Sequence, residues 1–382
     1  MKHIPLSEPV FEGNEKRYLI DSIESGVVSS VGKYVTMFEN SVSKILNIDH
    51  SIACINGTSA LHLALRKAGV GCGDLVIVPN ITFIATANVV RYLGADPVFI
   101  DCDQETLCVD PVKLRIFIET NCDKCETGVV HKNSRKFLKA IVPVHIFGHP
   151  VDMDPVLELA DYFGLTVIED CAEALGSMYK DRACGTMGIA SCLSFNGNKI
   201  ITSGGGGMVV TSNKIWADQI RHLSTQAKLP GREYDHDAVG YNYRLSNLHA
   251  AVGLAQIERL DYVLKVKREN ALRYRELLAN VDELTMIWEQ KWARSNFWFY
   301  GVLVPTGRRD KVIEYMAQHG VEVRPLWKPM HTQSMFHDCF CGELEVSSAI
   351  YEQLINIPCS INLRPDHIKR VVDLLKVALV KG

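Results

Sequence analysis

The run Ser194-Phe195-Asn196-Gly197-Asn198-Lys199 sets one long amine among small residues, and four consecutive glycines, Gly204 to Gly207, follow it. Apolar stretches flank it on both sides, Ser191 to Phe195 before it and Met208 to Val210 after it. A lysine in a glycine-rich loop is ordinarily a solvated surface residue. A lysine held between two buried strands instead gives up its proton more readily, which an amine needs in order to condense with an aldehyde. Two other stretches offer partner chemistry. Asp170 ends the apolar run Thr166-Val167-Ile168 with a carboxylate, either to cap a following helix or to pair with a cationic heteroatom. Asn56-Gly57-Thr58-Ser59 is a tight turn feeding a helix, and free N–H groups at such a start suit a phosphate, though many ordinary turns look alike.

These residues need a frame, and the pattern from 50 to 210 supplies one. Short apolar runs at Leu75–Val78, Pro97–Ile100, Ala140–Val144, Leu165–Ile168 and Ser191–Phe195 read as buried strands. Helical stretches separate several of them. Ala60, Leu61, Ala64, Leu65 and Ala68 share one face, with Thr58 or Ser59 as the cap, and Asp152 to Phe163 is closed by Gly164. Such alternation implies a mainly parallel sheet covered on both faces, with ligands beyond the carboxyl ends of its strands. From about 250 the texture changes to one long charged helix, Ala251 to Leu278, then strand-like Phe297–Val304 and a closing helix, Asp366 to Val380. The expected division is a large α/β domain over 1–249 and a smaller α+β domain over 250–382. The polar segment Glu119 to Lys136 reads as a surface excursion.

Composition narrows the classes. A formal net charge of −3 gives no cationic surplus for a phosphate backbone, so no nucleic acid partner is expected. No apolar run approaches the ~18 residues that span a bilayer. The first residues lack the apolar core of a signal peptide, so a cytoplasmic protein without membrane attachment is expected. The 12 cysteines follow no regular framework and read as reduced thiols. Cys122-Asp123-Lys124-Cys125, with His131 nearby, lacks a second ligand pair at zinc spacing, and no metal is expected. The chain holds neither a GxxxxGK[ST] nor a GxGxxG phosphate loop.

Taken in order, the phosphate turn at Gly57, Thr58 and Ser59, the aromatic Phe83, the strand-tip Asp170 and the strand-flanked Lys199 describe a pyridoxal phosphate site. The phosphate goes to the helix start, the ring to the aromatic, the pyridinium to the carboxylate and the aldehyde to the lysine.

Longer blocks carry a resemblance: NGTSALHLAL, IVPNITFIATANVVRYLGADPVFID, VPVHIFGHP, VIEDCAEALGS, SFNGNK, GGGGMVVT, GYNYRLSNLHAAVGLAQIERL and RPLWKPMHTQ. In their order and spacing the chain resembles the DegT/StrS-type sugar aminotransferases over essentially its whole length. That resemblance implies a fold-type I pyridoxal phosphate-dependent transferase, with a large, mainly parallel sheet of the seven-stranded type and a smaller C-terminal α+β domain. It implies that Lys199 is the Schiff-base lysine and proton carrier, that Asp170 pairs with the pyridine nitrogen, and that Phe83 stacks on the ring. Gly57, Thr58 and Ser194 would hold the phosphate, and Asn242 would reach it from a second subunit, making a homodimer part of the site. Glu173 stands where glutamine is common and would lie against the cofactor's 3-hydroxyl. His145, Arg244 and His331 would neighbour substrate or cofactor, although His331 is equally read as a packed interdomain histidine.

Narrower blocks, among them Gly26 to Lys33, resemble a branch linked to bacillosamine- or legionaminic-type sugars. They imply transfer of the amino group of L-glutamate to the C4 ketone of a UDP-linked 4-keto-6-deoxy-N-acetylhexosamine. The product would feed bacterial surface glycans, lipopolysaccharide among them. The alternative is a GDP-4-keto-6-deoxymannose aminotransferase of the perosamine type, which shares the cofactor residues. A related sugar dehydratase would carry histidine at position 199, and a non-catalytic regulator would not need Lys199 and Asp170 intact.

Overall fold

The computed structural model describes residues 3–381. Its centre is a sheet whose main path holds seven strands: β1 (His50–Cys54), β2 (Leu75–Pro79), β3 (Asp96–Ile100), β4 (Phe137–Ile141), β5 (Thr166–Asp170), β6 (Ala190–Ser194) and β7 (Gly207–Thr211), in the spatial order β1-β7-β6-β5-β4-β2-β3. The neighbours from β6 through β3 are all parallel, whereas β7 runs antiparallel to both β6 and β1. Helices cover both faces, so the strands are almost wholly apolar; every residue of β2 is buried.

The direction of the strands places the chemistry. The carboxyl ends of β5 and β6 carry Asp170 and Ser194 to the same edge. Because β7 is reversed, its first residue, Gly207, lies at that edge, paired to Ser194 on one side and to Cys54 at the end of β1 on the other. A Cβ on Gly207 would stand 2.3 Å from the Asn56 carbonyl oxygen, so only glycine lets the last strand pass beneath the turn that follows β1.

β1 lies outside the apolar runs that mark the other strands. The polar segment after 119 is no loop: Cys122–Cys125 and Gly128–His131 form an antiparallel hairpin, and the second arm pairs antiparallel with Phe137 and Leu138 at the start of β4, off the main path. β4 stops at Ile141 rather than Val144. The cap of helix Gly57–Lys67 is Asn56, whose side-chain oxygen accepts the Ser59 N–H at 2.7 Å; neither Thr58 nor Ser59 caps it. The helix expected over 251–278 is two, Asn247–Ile257 and Leu260–Leu278. The first packs on helices Glu15–Glu24 and Lys33–Leu46, and the second on the closing helix Pro365–Lys381. The break lets one apolar stripe serve each layer. The helix Met153–Phe163 ends as expected at Gly164, in the left-handed region at φ 71°.

A second, four-stranded antiparallel sheet runs Thr285–Met286, Tyr300–Leu303, Leu354–Ile357, Arg324–Pro325. Its core joins Tyr274, Tyr300, Ile355, Ile368 and Leu375. Ile4 belongs to this core and bridges Val321, so the start of the chain crosses to the C-terminal layer. Among the described residues no helix is long and apolar enough to cross a membrane.

Candidate active site

A cavity of about 380 Å³ opens at the strand-tip edge. At one end stands the start of helix Gly57–Lys67, where Asn56 caps the third N–H and leaves those of Gly57 and Thr58 as the unpaired donors of a helix terminus. Gly57 sits so close to β6 that a Cβ there would be 2.9 Å from Ser194 Cβ and 3.3 Å from Ser194 Oγ. Two backbone donors and one hydroxyl therefore converge in a cradle that any larger residue at 57 would fill. This donor set fits a phosphate. Ser59 does not line the cavity; it is buried and its N–H is spent on the cap.

The floor is Asp170, only 4% exposed. Its Oδ2 accepts the Thr86 hydroxyl at 2.8 Å and its Oδ1 the Ala172 N–H at 3.0 Å. Burial pushes the carboxyl above its ordinary range, against the pull of those donors and of Lys199. A buried carboxylate in this condition gains from a cation placed over it, and a protonated ring nitrogen supplies one. The helix-cap reading of Asp170 lapses, because the residues after it form turns rather than a helix.

Lys199 follows β6 on a turn closed by its N–H to Asn196 O at 3.0 Å. Its Nζ lies 3.5 Å from Glu173 Oε1 and 4.1 Å from the centroid of the Trp298 ring. Glu173 is 3% exposed, and its other oxygen, Oε2, accepts the Phe147 N–H at 2.8 Å. Burial raises the Glu173 carboxyl to about 7, in spite of the lysine's opposing charge.

Aromatic residues wall the opposite side. Trp298 stacks on Phe299, with centroids 3.9 Å apart, and Trp327 meets Phe83 edge-on at 6.3 Å. Phe83 lines the mouth and is 52% exposed. Trp298, Phe299 and Trp327 are site residues beyond those expected from the sequence, where the one signal is the run Phe297-Trp298-Phe299-Tyr300, a dense aromatic patch. Thr86, which holds Asp170, carried no comparable signal.

Three other expected neighbours, His145, Arg244 and His331, lie outside the cavity lining, and Asn242, expected to serve a second subunit, does not line the cavity of its own chain. His145 is fully buried: its Nδ1 accepts the Val151 N–H at 3.0 Å, so its Nε2–H donates to Glu169 Oε2 at 3.1 Å. Glu169 and Asp170 are consecutive on β5 and point to opposite faces, which takes His145 away from the cavity. Glu169 also accepts the N–H groups of Gly185, Met187 and Gly188. Burial opposes its charge, but His145 and these donors hold the carboxyl below its ordinary range. His145, Glu169 and Cys171 come within 4.8 Å of one another, yet the carboxylate is already committed to these donors. Arg244 is paired to Glu39 at 2.9 Å and donates to Ala53 O. His331 donates its backbone N–H to Asn80 Oδ1 and lies outside the cavity lining. Asn242 is exposed, bridged to Thr225, and likewise outside it.

Comparison with known proteins agrees with this geometry. A sequence model of the DegT/DnrJ/EryC1/StrS aminotransferase family matches residues 10–376. The chain belongs to that family. It is 38% identical over 384 residues to a GDP-perosamine synthase of Caulobacter vibrioides, covering 100% of this chain and 99% of that one. It is 40% identical over 340 residues to the GDP-perosamine synthase of Escherichia coli O157:H7, covering 88% of each. The crystal structure of a DegT DnrJ EryC1 StrS aminotransferase from Brucella abortus superposes with a TM-score of 0.88 at 27% identity, over 95% of both chains. This family member is thus a pyridoxal phosphate-dependent enzyme with the role of a sugar-nucleotide aminotransferase, on the fold-type I architecture.

Proposed function

We propose that this protein transfers the amino group of L-glutamate to the C4 ketone of GDP-4-keto-6-deoxymannose, the perosamine-type reaction. The convergence of the Gly57/Thr58/Ser194 cradle, Asp170 and Lys199 in one cavity carries the chemistry. The sugar rests on full-length identity to GDP-perosamine synthases, which favours this alternative over the UDP-linked N-acetylhexosamine expected from the narrower blocks.

When bound, pyridoxal phosphate supplies an aldehyde carbon and a pyridine ring that withdraws electrons. The chain's residues do the rest. Gly57, Thr58 and Ser194 would hold the phosphate, and Asp170 would keep a proton on the ring nitrogen. Phe83 would offer an aromatic surface to the ring. Trp298, Phe299 and Trp327 exclude water from the reacting side, which strengthens each charge interaction inside. Lys199 would accept at Nζ the proton lost by the substrate carbon that bears the amino group. Asn242, exposed here, would complete the phosphate site of a second copy in a homodimer.

Incubation with L-glutamate and a panel of GDP- and UDP-4-keto-6-deoxy sugars, read by mass spectrometry, tests the proposal. Amination of the GDP-linked mannose derivative is expected. Amination confined to UDP-linked substrates overturns the sugar assignment. Turnover that survives in Lys199→Ala overturns the role of Lys199.

A further inference from the structure

We infer that Glu173 is the proton acceptor of Lys199: its Oε1 takes the proton from Nζ and so readies the amine for the cofactor aldehyde. The proposal rests on Lys199 as the residue that meets the aldehyde, but not on the identity of the sugar.

The geometry decides where that proton goes. Glu173 Oε2 accepts the Phe147 N–H at 2.8 Å, and a backbone N–H can only donate. Oε2 therefore stays an acceptor in both ionisation states, and a protonated Glu173 carries its hydrogen on Oε1. That oxygen is the one 3.5 Å from Lys199 Nζ. The turn holding Phe147 is itself fixed: Phe147 has φ 55°, unusual for a bulky residue, and its carbonyl accepts the Trp298 N–H at 3.0 Å. The transfer balances internally. An ammonium and a carboxylate become an amine and a carboxylic acid, with no change in the net charge of the pair.

No other acidic side chain is within ion-pair distance of Nζ among the described residues. The titratable groups facing Glu173 are Lys199 on the loop after β6, Asp170 at the tip of β5 and the Cys108 thiol. Asp170 opposes a second negative charge. Burial raises the Cys108 thiol to about 12, so it stays neutral. A carboxyl that titrates near neutrality is matched to a transfer of this kind.

With the carboxylate ionised, the pair holds one proton and the amine can be released. At lower pH the pair holds two, and the amine has no acceptor. The rate at which cofactor-free protein captures pyridoxal phosphate, followed by the absorbance of the lysine–cofactor linkage, should rise with pH and level off near neutrality. In Glu173→Gln, a near-isostere that still accepts from Phe147, that inflection should vanish, with capture slowed about tenfold or more above neutrality. Carboxyl-stretch infrared spectra of the cofactor-free proteins, wild type minus Glu173→Gln, give an independent readout. A band should titrate near neutrality and move to higher pH in Lys199→Met, where the lowering effect of the ammonium is lost. An unchanged capture profile in Glu173→Gln overturns the proposal, as does a band indifferent to Lys199→Met. Capture with a normal linkage spectrum in Lys199→Met would instead overturn the assignment of Lys199 itself.

Discussion

Trp298 lies beneath the Lys199 amine, Nζ 4.1 Å from its ring centroid, and donates its Nε1–H to the carbonyl of Asn198 at 2.6 Å. One side chain of the smaller layer thus holds both the reactive amine and the backbone just before it. Trp298 is held in turn by Lys267, a buried lysine whose Nζ donates to the Trp298 and Cys359 carbonyls at 2.7 Å each.

Truncation at this position should cost stability before it costs chemistry. Trp298→Ala empties a side chain only 2% exposed and should lower stability by about 3–5 kcal/mol, seen as a fall in Tm. Trp298→Phe keeps a ring but loses the Asn198 bond, about 1 kcal/mol. It should fold normally and capture cofactor several-fold more slowly, and an unchanged rate would show that the platform is passive.

Gly57→Ala tests the cradle. Gly57 opens its helix, and an alanine Cβ there would meet Ser194 Cβ at 2.9 Å, so β6 or the helix start must shift. Fluorescence titration should show cofactor affinity at least about tenfold weaker, with a fall in the cofactor-free Tm.

Glu173 should leave a pH signature in stability without cofactor. Its folded pKa, about 7, is above the ordinary 4.5, so between those values the folded state binds the extra proton. Stability must then fall as pH rises across that window, with the penalty complete above about 7. Glu173→Gln removes the titration. Its stability relative to wild type should climb through the same window by roughly 3 kcal/mol and then level off, measured by denaturant unfolding of the cofactor-free proteins. A difference independent of pH would refute this.

Sharing of the site between subunits is testable by mixing. Asn242 is exposed and does not line the cavity of its own chain. If it serves a partner, Asn242→Ala and Lys199→Ala subunits, each weakly active or inactive alone, should regain part of the activity as a verified mixed dimer. Homogeneous dimers with full Asn242→Ala activity would remove it from the site.

Much of the frame was legible because buried parallel strands must be apolar along their whole length. Runs such as Leu75–Val78 therefore marked the sheet, and the carboxylate at Asp170 marked its edge. Lys199 stood out because a lone amine between two such runs has few other uses. β1, His50–Cys54, was missed because its first two residues are polar and its run is short. The hairpin from Cys122 was missed because its first arm is mostly exposed and so carries no apolar signature.

What the sequence by itself determined was the order of the elements and the identity of the groups at their tips, since burial and turn chemistry act over neighbouring residues. Tertiary structure decided which of those groups meet. It turned His145 toward Glu169, tied Arg244 to Glu39, and brought Glu173 and Trp298 against Lys199. The reason is geometric: one step along a strand reverses a side chain's face, and a contact across about a hundred residues depends on how two layers pack, which no local pattern encodes.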